Sequence, residues 1–98
     1  MNLEEELKKV LKDGEILIGV KRVKKSLLKG GCKMVITASN APRDMREDLE
    51  RFATLSGIPY YEFEGTSKEL GYACARPFPV TSLAIMKEGS SNILKLAS

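Results

Sequence analysis

Apolar residues along the chain follow two alternating rhythms. Leu3, Leu7, Val10 and Leu11 recur at i, i+4, i+7 and i+8 with Glu and Lys between them. That is one stripe of an amphipathic helix, and Asp13-Gly14 ends it. Ile16-Leu17-Ile18 is a short apolar run, expected to be a buried strand. Gly19 marks a tight strand-to-helix turn. In the helix that follows, Val23, Leu27 and Leu28 form the expected core face, Lys21, Arg22, Lys24, Lys25 and Lys29 crowd the others, and Gly30-Gly31 is the stop. Met34-Val35-Ile36-Thr37-Ala38 is a second buried strand. Ser39-Asn40-Ala41-Pro42 leads into another helix, with Asn40 or Ser39 as its candidate cap and Pro42 suited to its first turn. Met45, Leu49, Phe52 and Ala53 form the core face of that helix, and Gly57 ends it.

The same alternation continues to the C-terminus. Ile58 to Phe63 is a third strand, with Pro59 near its start, where no ladder donor is required. Thr66-Ser67-Lys68-Glu69 fits a capping box that opens a short helix through Leu70 towards Ala75. Arg76-Pro77-Phe78-Pro79 is a loop stiffened by two prolines, and Val80 to Met86 is the fourth strand. Gly89-Ser90-Ser91 precedes a last element, Asn92 to Leu96, for which a helix is favoured over a returning strand. Strands and helices in turn predict an α/β fold, a three-layer α/β/α sandwich around a four-stranded mixed sheet. Ninety-eight residues suit a single domain, 1–98, with one core.

Charge changes the picture more than composition does. Lys21 to Lys33 holds six of the sixteen basic residues and no acidic one, while the rest sets ten basic against thirteen acidic side chains. The net charge of +3 is therefore one cationic element on a mildly acidic body. A nucleic-acid binder has that asymmetry, although a charge run is also the usual mark of a solvated helix face. Lys21 and Arg22 tilt the balance. Cations in a first helical turn oppose the macrodipole at about 0.3–1 kcal/mol, yet with the free N–H groups there they make a phosphate site.

Other functions are disfavoured by what the chain lacks. There is no histidine, hence no Ser/His or Cys/His nucleophile pair, and Cys32 and Cys74 form no zinc-ligand cluster. Two buried, reduced thiols are expected, and no cofactor or catalytic residue is assigned. No GxxxxGK[ST] or GxGxxG occurs between Gly14 and Gly31, which argues against a nucleotide-using enzyme. No apolar run nears the roughly 20 residues that span a bilayer, and the N-terminus has no apolar signal core, so a cytoplasmic protein without membrane contact is expected.

In open α/β sheets ligands gather at the loops beyond the strand ends. If the first two strands run parallel and the fourth antiparallel to them, one edge carries Gly19, Lys21, Arg22, Asn40, Arg43, Arg76, Phe78 and Val80. Cations for phosphates, an amide for base edges and apolar side chains for an unstacked base suit RNA with a splayed internal loop. Each member also has a plainer role available: Asn40 as a helix cap, Phe78 as core, Gly19 as a turn residue.

Four segments carry a family likeness: G-V-K-R at Gly19–Arg22, V-I-T-A-S-N-A-P at Val35–Pro42, L-S-G-I-P-Y-Y-E-F-E-G-T-S-K-E-L-G at Leu55–Gly71, and R-P-F-P-V at Arg76–Val80. Over essentially its whole length the sequence resembles the kink-turn RNA-binding superfamily, and within it the archaeal and eukaryotic large-subunit ribosomal protein thirty family. The resemblance implies a structural, non-catalytic protein that clamps a sharply bent internal loop of ribosomal RNA, with neighbouring ribosomal proteins as further partners and a monomer when free. It implies that the Gly19 turn and Lys21 contact the bent backbone, that Asn40 hydrogen-bonds a purine, and that Arg46 and Arg43 meet phosphate. Phe78 and Val80, with Ile18 beneath, would pack on an extruded or terminal base. The expected RNA-binding set is therefore Ile18, Gly19, Lys21, Arg22, Lys25, Asn40, Arg43, Arg46, Arg76, Phe78 and Val80. Val20 and Pro79 depart modestly from the family pattern. The branch that nucleates small ribonucleoproteins usually shows Asn-Glu after the turn glycine where this chain has Lys21-Arg22, which favours the ribosomal branch. The alternatives are a kink-turn protein of another ribonucleoprotein and an RNA-independent protein-binding adaptor of the same fold.

Overall fold

Five consecutive residues, Met34–Ala38, are all buried, as a strand must be when both faces of its sheet are covered. A computed structural model, describing residues 3–97, shows why. Its elements are α1 (Leu3–Asp13), β1 (Glu15–Ile18), α2 (Val20–Lys29), β2 (Met34–Ala38), α3 (Arg43–Leu55), β3 (Tyr60–Phe63), α4 (Ser67–Ala73), β4 (Ser82–Lys87) and a closing 3-10 turn (Ile93–Ala97). The four strands form one sheet in the order β1-β4-β2-β3. β2 and β3 are parallel, and β4 is antiparallel to both β1 and β2. The expected α/β/α sandwich around a mixed sheet is the observed architecture.

Alternation along the strands builds two cores. Met34, Ile36, Leu83 and Ile85 face α1 and α4, joining Leu7, Val10, Leu70 and Ile93. Val35 and Ala84 face the opposite way, against Val23 and Leu27 of α2 and Leu49 and Ala53 of α3. Each fully buried aliphatic side chain contributes about 1.5–3 kcal/mol. Cys32 and Cys74 are buried free thiols, as expected. Burial pushes the Cys74 thiol up to about 11 and raises that of Cys32 as well, so neither is a ready nucleophile.

Several boundaries differ from expectation. Leu28 is 75% exposed rather than core. Val23 and Leu27 share a face at i, i+4, and the next residue is turned about 100° away from it. β3 begins at Tyr60 and β4 at Ser82, so Val80 precedes its strand. The C-terminal element is the 3-10 turn, fastened to α1 by Glu6. Its carboxylate accepts the Asn92 backbone N–H at 2.8 Å and the Ser91 hydroxyl at 3.1 Å.

Candidate RNA-binding edge

Strand direction brings the loops together. β1, β2 and β3 run one way and β4 the other, so the segments after the first three strands and before the fourth meet at one edge. Main-chain bonds stitch them. The Gly19 N–H donates to Ser82 O at 3.0 Å, Ala38 N–H to Thr81 O at 2.9 Å, and Ser39 N–H to Gly65 O at 3.0 Å. The Ser39 hydroxyl also donates to Gly65 O, at 2.8 Å.

Gly19 sets the entry of α2. At φ 111° and ψ 140° it lies in backbone space essentially reserved for glycine, and it is the N-cap residue. No side chain caps α2, which leaves the N–H groups of Val20, Lys21 and Arg22 without intrahelical acceptors. Lys21 and Arg22 are exposed there. α1 shows the opposite arrangement, with Glu4, Glu5 and Glu6 in its first turn.

The loop carrying Phe78 is fixed by α4. Thr66 caps this helix, its hydroxyl oxygen accepting the Glu69 N–H at 3.3 Å. At the other end the Arg76 N–H donates to Gly71 O and the Ala75 N–H to Tyr72 O, with Ala75 left-handed at φ 56°. That pair of bonds is a Schellman stop. A Cβ on Gly71 would collide with the carbonyl of Phe78 and approach Pro79 Cα within 3.4 Å, so glycine alone lets the loop lie this close to α4. Phe78 consequently stands 50% exposed. With Ile16, Ile18, Arg22 and Arg76 it lines an open cleft of about 490 Å³. An apolar floor beneath two guanidinium groups can take an unstacked base and the phosphate beside it.

Asn40 lies between these features. Its Oδ1 accepts the Ser67 N–H at 2.8 Å, so it ties the β2–α3 loop to the start of α4 and does not cap α3. Ser39 does not cap α3 either, since α3 has Pro42 at its N-cap position and no side-chain cap. Because a backbone donor needs an acceptor, the Asn40 carbonyl is committed and its NH2 group is left as the donor.

The remaining expected site residues are placed differently. Arg46 bonds Ala41 O at 3.1 Å and Glu62 at 2.7 Å, so it props the Asn40–Pro42 turn. Arg43 is paired with Glu47 at 2.8 Å, and both arginines line a mixed-sign depression between α3 and β3 rather than the Phe78 cleft. Lys25 lines a separate groove on the flank of α2. Val80 is 1% exposed and belongs to the core, where it supports the loop, its N–H donating to Ser67 O. Ile16 was not among the expected residues, although its spacing of two from Ile18 puts it on the same face of β1. Among the described residues no cluster of His, Cys, Asp and Glu could hold a metal ion, and no helix is long and apolar enough to cross a membrane.

Residues 1–95 match the profile of the ribosomal protein L7Ae/L30e/S12e/Gadd45 family. The chain belongs to this family. The likeness carried by the four quoted segments is thereby borne out along nearly the whole sequence. This L7Ae-family chain is 46% identical over 96 residues to the large ribosomal subunit protein eL30 of Pyrobaculum calidifontis, covering 98% of this chain and 95% of that one. It is 43% identical to the protein of the same name from Methanothermobacter thermautotrophicus, covering 98% of each chain. A third, from Methanocaldococcus jannaschii, is 40% identical over 98% of this chain and 87% of its own. These relatives are ribosomal proteins, not enzymes.

Proposed function

We propose that this chain is a structural constituent of the large ribosomal subunit, in the cytoplasm, and that its loop edge binds a kink-turn of ribosomal RNA. Membership of a ribosomal family and the names of its relatives support the first part. For the second, the carrying observation is the convergence of the uncapped α2 start, the Asn40 amide donor and the half-exposed Phe78 on one stitched edge. In this reading Lys21, Arg22 and Arg76 hold phosphates, and the Gly19 turn lets the bent backbone approach the first N–H groups of α2. Asn40 donates to a purine edge. Phe78 over Ile16 and Ile18 receives the base that the bend expels. Arg46 and Val80 act indirectly, by holding the turn and the loop in place.

Titration of the protein against a kink-turn RNA and a straight duplex tests this. Tight binding is expected for the bent RNA alone. With about four phosphates neutralised, affinity should fall roughly a hundredfold between 50 and 200 mM salt. Phe78→Ala should weaken kink-turn binding without the roughly 3–5 kcal/mol stability loss of a core aromatic. Equal binding to both RNAs, or a flat salt response, would sink the reading.

A further inference from the structure

Resting on the kink-turn reading, we propose that the outer flank of α2 is a second RNA groove. It would take the single strand that leaves the kink-turn and lead it along the open edge of the sheet.

Three observations point there. The first is unpaired charge. Lys24 faces α3 and is paired with Asp48 at 3.6 Å, whereas Lys21, Arg22, Lys25 and Lys29 have no carboxylate or other hydrogen-bond partner among the described residues. Arg22, Lys25 and Lys29 follow at i, i+3 and i+7, hence on one helix face, and span about 10 Å along the axis. That reach suits about two or three successive phosphates of an extended strand.

The second is the groove itself. Arg22, Lys25 and Lys29 rim a depression of about 230 Å³ whose floor is Leu17 and Met86, with Ser26 and Gly30 completing it. A row of cations beside an apolar floor is what an unpaired nucleotide meets on a single-strand-binding surface: phosphate on the rim, base or ribose on the floor. A duplex would leave the floor unused. A groove for a protein segment of ordinary composition would be expected to offer charges of both signs, and this one offers a single sign.

The third is continuity. Arg22 lines both this groove and the Phe78 cleft. β1 separates the two, with Ile16 and Ile18 facing the cleft and Leu17 facing the groove. Because β1 is an edge strand, no further strand of the sheet lies beyond it. A strand emerging beside Phe78 therefore has an unbroken cationic path past Arg22 to Lys29.

The test compares three RNAs on the full chain: a kink-turn alone, the same kink-turn with a single-stranded tail of about six nucleotides at either strand end, and one extended by paired duplex. One tailed RNA should bind more tightly than the bare kink-turn, with its log–log salt slope steeper by about 2. Lys29→Glu should cut the ratio of tailed to bare affinity roughly thirtyfold, since it removes one water-screened attraction at contact and adds an equal repulsion, each worth about fivefold. No gain from either tail would overturn the groove, as expected if it serves an acidic protein segment instead. So would an equal gain from paired extension, or a Lys29→Glu loss shared equally by bare and tailed RNA. Failure to bind even the bare kink-turn would instead overturn the underlying reading, so the two failures are told apart.

Discussion

Asn40 carries two duties on one side chain, and its two ends can be separated by substitution. Its carbonyl oxygen holds the Ser67 N–H, and its NH2 group is the donor proposed to meet RNA. Asn40→Asp keeps an acceptor for Ser67 and removes the donors, so it should preserve the melting temperature yet abolish most kink-turn affinity. Asn40→Ala removes both and should also cost about 1 kcal/mol of stability, as lost hydrogen bonds of this kind do. Comparing the two by thermal melting and RNA titration checks the assignment, which fails if Asp binds RNA as well as Asn. Half of this was legible in the sequence. A polar amide after a strand marks a candidate site, but the bond to Ser67 joins residues 27 positions apart and depends on how β2 and α4 pack. Phe78 was legible through its flanking prolines. Val80 was not, because a single intervening proline separates an exposed phenylalanine from a buried valine without any change in pattern.

At the scale of elements, the two helices that flank the cleft are held by different means. α2 begins where glycine alone has the right dihedrals, and its cations oppose its own dipole by about 0.3–1 kcal/mol. Such a helix depends on Val23 and Leu27 packing against the sheet. α4 has only seven residues and is defined by its ends, the Thr66 cap and the stop at Ala75. Gly71 in its middle is the contact point for the Phe78 loop. A glycine-to-alanine change inside a helix ordinarily gains up to about 1 kcal/mol. Here the added methyl meets backbone that cannot rotate away, so Gly71→Ala should destabilise by about 1–3 kcal/mol, typical of overpacking. It should also weaken RNA binding by shifting Arg76 and Phe78. Chemical denaturation showing increased stability would refute the account. The sequence announced the helix through its capping box but not the close approach, which only the packed loop reveals. The antiparallel course of β4, on which the shared edge depends, could be stated from sequence only as a condition.

For the whole molecule, the termini are fastened by carboxylates. Backbone N–H donation from Asn92, helped by Lys9 and the Ser91 hydroxyl, holds Glu6 below the ordinary carboxylate range. The Ser90 N–H does the same for Asp13, and Lys33 for Glu88. In each case the folded value lies beneath the unfolded one, so the stabilisation is complete at neutral pH. It is lost as pH falls below about 4, where unfolded carboxylates begin to protonate. The melting temperature should therefore hold level from about pH 7 to 5 and drop below about pH 4. Glu6→Gln, whose amide oxygen can accept the Asn92 N–H at any pH, should blunt that drop, and an unchanged acid limb in calorimetry would refute the role given to Glu6. The strand order has a further consequence, in time rather than space. β1 pairs only with β4, so the first strand to be synthesised must wait for the last. Until residues 82–87 have left the translating machinery, the Gly19 turn lacks its Ser82 anchor and β1, with Ile16 and Ile18, has no partner strand to hold it beside Phe78. The loop edge proposed to bind RNA is thus among the last parts to form, and a nascent chain stalled before β4 would present its cations with no frame to aim them.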